Sequence, residues 1–541
     1  MSEVLFGQSY YLRFDPKLYE AMQPYPPLGT LYAASYVRER GHRVALFDAM
    51  LADSEEEWTA ALERVRPEVA VIYEDNFNYL SKMCLLRMRE ASFRMIAAAR
   101  RAGSKVVVAG SDATDRAELY LRRGADFAVI GEGEQTVAEL LEHLAGGDAS
   151  PGAIAGLAFL DADDGVHWTA HRPEMRDLDA LPRPAWDLVD VERYRRIWLE
   201  RHGYYSMAVA TSRGCPYHCN WCAKPIWGQR YNVRSPAAVV EELAWLRNTY
   251  RPDHVWFVDD ILGLKPGWIQ RFAELVEASG VRTPFKSLCR ADLLLRGDTI
   301  DSLRRAGARS VWVGAESGSQ QVLDAMDKGT LVEQNVEAAR RLRAAGIGVG
   351  FFLQFGYPGE TRADIDATMR MVREARPDDI GISVSYPLPG TKFFGAVRER
   401  LGAKQNWVDS SDLAMMYRGP YSTSFYRKLH TIVHKEFRRQ RALDSVRAGA
   451  RAPRLFARVA YHTATLPFER LQLRVLARLP HRGLAPLPRF MTAEAAALPS
   501  PQLSGAISGE QRTRGTPASA EGRSAASPTA ARDRSDPRAS P

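Results

Sequence analysis

Short apolar runs and helix-patterned stretches take turns twice along this chain, first over residues 1–148 and again over 204–395. In the first stretch VLFG at 4–7, RVALFDA at 43–49, VAVIYE at 69–74, KVVVAG at 105–110 and FAVIGEGE at 127–134 read as strands. TLYAASYVRERG, FRMIAAARRAG and QTVAELLEHLAGG read as helices among them. Each strand is a nearly continuous hydrophobic run, as expected where helices cover both faces, so the pattern predicts an α/β, doubly wound, Rossmann-like parallel sheet. The second stretch repeats the alternation with MAVATS, HVWFVDD, KSLCRAD, SVWVGAES, GVGFFLQFGYPGE and DIGISVSYPLPGT as strands. Six such units predict a partial β/α barrel. The expected organisation is a sheet domain at 1–148, a connector at 149–203 holding a small hairpin and a Pro-rich link, the barrel at 204–395, and a helical region at 396–498. A disordered tail is expected at 499–541, where Ala, Ser, Pro, Gly and Arg cannot bury a core.

Charge and cysteine usage narrow the class. The formal net charge of the 541 residues is +8, yet between Thr431 and Phe490 thirteen Lys and Arg stand against three Asp and Glu, a local +10 that leaves −2 elsewhere. Basicity confined to one segment gives no reason to expect a nucleic-acid partner. No run of roughly 18 apolar residues occurs, and the start MSEVLFGQSYYLRF lacks the basic-then-apolar order of a signal peptide, so a cytoplasmic protein is expected. Five cysteines make no disulfide framework in so long a chain, and three of them cluster, which points to metal or redox chemistry.

The cluster is Cys215, Cys219 and Cys222 in SRGCPYHCNWCAKP, directly after the first barrel strand. Barrel active sites lie at the carboxyl ends of the strands. A 4Fe–4S cluster takes four thiolates, so three leave one iron with an open position for a ligand. Structural zinc with His218 or Cys289 as the fourth ligand is the alternative, although zinc frameworks usually bring two separated pairs. Other barrel strands end in polar and glycine residues: Asp259 and Asp260; Gly314, Glu316 and Ser317; Gly356, Pro358 and Glu360; Pro387 and Gly390. Small residues admit a ligand close to the backbone, and acidic ones accept from a ribose hydroxyl or an ammonium, with Glu316 preferred to Asp259 for that contact. In the first domain the strand ends carry Glu74, Asp75 and Asn76, then Gly110 and Ser111, then Gly131, Glu132, Gly133 and Glu134.

On these residues the chain resembles radical SAM enzymes with an N-terminal cobalamin-binding domain, over roughly the first 400 residues. The resemblance implies a 4Fe–4S cluster on the three cysteines whose free iron is chelated by S-adenosylmethionine (SAM), and one-electron cleavage to a 5′-deoxyadenosyl radical. It puts Trp221 near the adenine, with Asp259, Gly314, Glu316 and Ser317 as further SAM contacts. YPPLGTLYAASYVRERGHRVALFDA at 25–49 and GADFAVIGEGEQTVAELL at 124–141 resemble the first and last units of the cobalamin domain. By that resemblance Glu74, Asn76, Gly110, Ser111, Gly131, Gly133 and Glu134 face cobalamin. The chain departs from the pattern in two places: it has no Asp-x-His-x-x-Gly stretch, and VAGSDAT at 108–114 stands where a double glycine and a histidine are common. Cys84 is expected to be a buried packing residue.

The resemblance implies radical methylation of an unactivated carbon, or ring closure as in the anaerobic tetrapyrrole cyclases. It implies a small-molecule substrate and an electron donor such as a flavodoxin or ferredoxin. A zinc- or cluster-stapled binding protein without chemistry is the alternative from another class. Thiomethylation of tRNA would want further cysteines for a second cluster, and only Cys84 and Cys289 remain. In the basic segment Arg454, Arg458, Arg470, Arg474 and Arg478 interleave with Leu455, Phe456, Val459, Phe468, Leu471, Val475 and Leu476. Such a stretch, within 431–490, either lies on an anionic membrane, which would suit a lipid-like substrate, or packs its apolar face on the barrel. The second is the commoner arrangement.

Overall fold

The computed structural model describes residues 3–146, 150–224, 226–479 and 484. The first sheet holds β1 (Glu3–Gly7), β2 (Arg43–Leu46), β3 (Val69–Tyr73), β4 (Lys105–Ala109), β5 (Phe127–Val129), β6 (Leu157–Leu160) and β7 (Val166–Trp168), in the order β2-β1-β3-β4-β5-β6-β7. The first five are parallel, and the last two add antiparallel at the edge. The hairpin expected in the connector is therefore the rim of this sheet, covering the otherwise open edge of β5. Val4–Phe6, Val69–Tyr73 and Val106–Ala109 are buried throughout, which is why these strands lack a polar alternation.

The second sheet is built of β8 (Ser206–Val209), β11 (His254–Phe257), β12 (Phe285–Cys289), β13 (Ala308–Glu316), β14 (Gly348–Phe355) and β15 (Asp379–Val384), all parallel and ordered β15-β14-β13-β12-β11-β8. A two-residue antiparallel ladder, β9 (Ser212–Arg213) with β10 (Asn232–Val233), carries the cysteine loop between its arms. All six expected strands are present. Local capping starts the covering helices where the sequence turns: Ser235 accepts from the Ala238 N–H ahead of Pro236, and Thr361 with Asp364 forms a reciprocal box at the start of Arg362–Ala375.

The two sheets share one compact unit. Tyr25 runs under the barrel floor, where its hydroxyl donates to Ser206 Oγ at 2.9 Å and its ring lies 4.9 Å from that of Trp256. Beyond Lys392–Val397, residues 401–422 form an irregular strap where a helical region was expected. The strap crosses back to the first sheet. Asn406 donates to the carbonyls of Met83 and Cys84 at 2.7 Å, and Ser410 binds the Asp15 carboxylate.

Helices Thr423–Arg447 and Pro453–Arg478 then pair as an antiparallel hairpin. The second buries Leu466 and Leu473 yet leaves Tyr461, Phe468, Leu471, Val475 and Leu479 exposed. The expectation that its apolar face packs inward is met on one side only: Leu466 and Leu473 join the buried core, while the apolar residues on the other side stay exposed. No described helix is long and apolar enough to cross a membrane. The tail expected at 499–541 lies outside the described residues.

Candidate active site

The cysteine loop is held at both ends. At its entry Asp259 Oδ1, at the end of β11, accepts from the Thr211 N–H and Oγ1 at 3.0 Å and from Ser212 Oγ at 2.6 Å. Burial pushes the Asp259 carboxyl up to about 6, and its second oxygen has no partner. Gly214 has φ of +82°, and a Cβ there would lie 2.3 Å from the Arg230 carbonyl, so only glycine lets the chain pass. Further on, Asn220 ties the loop to the barrel rim with four bonds. Its N–H and side-chain amide donate to the Met326 and Ala325 carbonyls at 3.0 and 2.6 Å, its side-chain oxygen accepts from Tyr357 OH at 2.8 Å, and its carbonyl accepts from the Phe393 N–H.

Cys215, Cys219 and Cys222 are free and half-buried in this loop, and the Cys222 N–H closes a turn on the Cys219 carbonyl at 3.2 Å. Burial pushes the Cys222 thiol up to about 12 and the Cys215 thiol upward too. Thiols in such surroundings become good ligands only when a metal takes the proton's place. His218 is exposed, and Cys289 is buried with its thiol against the Leu262 carbonyl, so neither joins the three. Among the described residues no three His, Cys, Asp or Glu donors converge as a single metal ion requires.

Facing the loop, Glu316 adopts φ of +57° where the β13–β14 register slips, a strained backbone for a non-glycine residue. Its carboxylate meets Lys328 Nζ at 2.8 Å, both side chains buried, beside Gly314, where a Cβ would lie 2.8 Å from each of them. Ser317 instead pairs with Thr368 Oγ1 at 3.2 Å. Trp221 stands edge-on to Tyr386 at 6.5 Å, with its indole N–H buried and unpartnered. On β14 both amide atoms of Gln354 are buried without partners, as is Ser385 Oγ beyond β15. A rim with this many unsatisfied polar atoms is shaped for a polar ligand.

At the first sheet, β1 and β3 flank the switch point of the strand order, where open α/β sheets bind ligands. Glu74 accepts from Ser9 N and Oγ, and burial pushes it up to about 7. Asn76 and Ser111 meet at 3.3 Å. A Cβ on Gly110 would lie 2.7 Å from Glu74 Cβ, and one on Gly133 2.8 Å from the Tyr73 ring, while Gly131 approaches the Ile226 carbonyl of the cysteine loop. Asp112 does not face this crevice: Arg89 takes both its oxygens at 2.6 Å and Tyr120 one at 2.8 Å. Cys84 is buried, 3.8 Å from Tyr120 OH.

The contact between the two halves was not foreseen. Arg213, two residues before Cys215, binds Glu132 at 2.5 Å and Glu134 at 2.7 Å, and all three side chains are at least nine-tenths buried. Its guanidinium also lies over Tyr32, Phe77 and Trp227 at 5.6 to 5.9 Å. Lys82 reaches Asp260 at 2.7 Å across the same seam. Glu134 is thus engaged with the cysteine loop through one oxygen and has the other unpartnered. Arg213 stood next to the motif, but its acidic partners lie about 80 residues upstream, where no spacing rule reaches.

Residues 209–372 match the radical SAM superfamily, and residues 19–141 match the B12 binding domain. The chain is a radical SAM enzyme with a B12-binding domain. The enzyme is 27% identical over 388 residues to an uncharacterised methyltransferase of Pyrococcus horikoshii, covering 71% of this chain and 81% of that protein. It is 28% identical over 387 residues to the anaerobic magnesium-protoporphyrin IX monomethyl ester cyclase of Synechocystis, covering 69% and 73%. Its fold is similar to that of the radical SAM methyltransferase TsrM from Kitasatospora setae, solved with cobalamin and a 4Fe–4S cluster, at a TM-score of 0.60 and 20% identity over 74% of this chain and 78% of that one. The cofactors of the enzyme are a 4Fe–4S cluster, SAM and cobalamin. Three thiols with no fourth donor among the described residues, a rim of unpartnered polar atoms and a glycine-lined switch point fit these groups.

Proposed function

We propose that this enzyme methylates an unactivated carbon of a small, lipid-like biosynthetic intermediate. Cys215, Cys219 and Cys222 would hold the cluster, and Trp221, Gly314 and Glu316 would contact SAM. Asn76, Gly110, Ser111, Gly131 and Gly133 would face cobalamin, with Glu74 behind them. When bound, these groups supply a one-electron cleavage of the SAM sulfonium and a transferable methyl group. The chain's own residues position and shield. Asp259 and Asn220 fix the cysteine loop, Lys328 holds the Glu316 carboxylate in place, and the Arg213 triad holds the loop against the first sheet so that water is excluded from the seam.

The triad is the observation that carries the reading, because it joins the strand ends of the B12-binding domain to the residues preceding the first cysteine. An apolar substrate is favoured by the inner barrel wall. Trp312 and Phe352 lie with ring centroids 4.7 Å apart and planes tilted by 31° over Gly350 and Gly381, and Phe352 is 38% exposed although it lies on an inner strand. An electron donor such as a flavodoxin or ferredoxin and a reducing, cytoplasmic setting accord with five free thiols.

The test is anaerobic incubation of the reconstituted enzyme with a candidate lipid fraction and SAM labelled in its methyl group. Labelled methyl in the product, formed together with 5′-deoxyadenosine, is expected. Likeness to the cyclase favours ring closure as the second reading. A product that forms with 5′-deoxyadenosine but gains no labelled carbon would establish that one instead, and no 5′-deoxyadenosine at all would defeat both.

A further inference from the structure

Over residues 423–478, the two C-terminal helices and their link, thirteen Lys and Arg stand against three Asp and Glu, a balance of +10. The three acids are already engaged. Glu469 lies between Lys428 and Lys435 at 2.6 Å from each, Glu436 binds Arg373 and Arg470, and Asp444 sits beside Arg376 and Arg447. Arg454, Arg458, Arg474 and Arg478 have no acidic partner among the described residues. On the second helix Tyr461, Phe468, Leu471 and Val475 recur at helical spacing along one side, continued by Leu479, and are 49–62% exposed. Beside this stripe opens a hollow of about 470 Å³ lined by Arg438, Ala457, Arg458, Tyr461 and His462. His462 is 6% exposed and its Nδ1 has no partner. Tyr461 belongs to both features, so a basic hollow and an apolar stripe share a border.

We propose that this hairpin docks on an anionic lipid membrane, with a phospholipid headgroup phosphate in the hollow of Arg438, Arg458 and His462 and the Phe468 stripe at the acyl boundary. Charge selects this occupant over a second copy of the chain, because two surfaces of +10 repel while an anionic leaflet attracts. With its other side packed on the first helix, the second helix turns outward a stripe of large apolar residues flanked by arginines, the combination that lies in such an interface. The docking is peripheral, since no described helix can span the bilayer.

The experiment floats the full chain through a density gradient with vesicles of equal phosphatidylglycerol and phosphatidylcholine, or of phosphatidylcholine alone, at low salt. The protein should rise with the anionic vesicles and stay at the bottom with neutral ones. Phe468→Glu with Leu471→Glu, at exposed positions where folding should be kept, should abolish flotation. Arg438→Glu with Arg458→Glu should lower the bound fraction on the order of tenfold or more. Equal flotation on neutral vesicles, or none on anionic ones while inorganic phosphate still titrates calorimetrically, would overturn the proposal. So would a dimer in sedimentation that Phe468→Glu with Leu471→Glu dissolves, or flotation that appears only after residues 485–541 are removed.

Discussion

Glu360 is a carboxyl group that keeps its proton near neutral pH. It is 3% exposed; one oxygen accepts from the Gly356 N–H at 2.8 Å and from Tyr426 OH at 3.4 Å, and the other has no partner. Burial, with a contribution from Asp364, pushes it up to about 8 from an ordinary value of 4.5. Because the folded value lies above the unfolded one, its contribution to stability is full below 4.5 and is lost as pH rises through 8. Glu360→Gln cannot ionise, so relative to wild type it should gain on the order of a few kcal/mol between those limits, at about 1.4 kcal/mol per unit. Calorimetric melting of both proteins at matched pH reads the difference directly, and parallel curves would contradict the assignment. At this scale the sequence was legible where a residue's neighbours are local. Glu316 stood out as an acid ending an apolar strand. The direction of Asp112 was hidden, because the Arg89 that turns it away lies 23 residues upstream on a separate helix.

At the scale of elements, the cysteine loop depends on one side chain that no motif marks. The Asn220 side chain binds the Ala325 carbonyl and the Tyr357 hydroxyl on the barrel rim, beside backbone bonds to Met326 and Phe393 that an alanine would keep. Asn220→Ala should still load iron but release it to a chelator about 10–100-fold faster, the usual effect of losing a partner behind the ligands. Iron release followed by absorbance checks this, and unchanged kinetics would remove Asn220 from the loop's support. All six barrel strands were legible because a strand covered by helices reads as a continuous apolar run. The edge hairpin β6–β7 was legible as a hairpin but not as part of the sheet, since strand partners are set by the fold. The strap at 401–422 escaped for a different reason: it is held by isolated polar contacts such as Ser410 to Asp15, which leave no periodicity.

At the scale of the whole molecule the buried triad decides how the two sheets stay together. Arg213→Met would strand Glu132 and Glu134 without a counter-charge and should cost about 3–5 kcal/mol. Adding Glu132→Gln and Glu134→Gln should return most of that loss, because the desolvated charges go with it. Denaturant unfolding of the two variants tests the order, and the visible spectrum of bound cobalamin reports whether the seam has opened. A triple variant no more stable than Arg213→Met would show that the ions do not act as a unit. The three groups sit on opposite sides of a dry boundary, each unaffordable without the others. Replacing either half by one that lacks its share of the triad would leave a lone guanidinium or a pair of bare carboxylates at the join, so the two lobes form a matched set and not interchangeable parts.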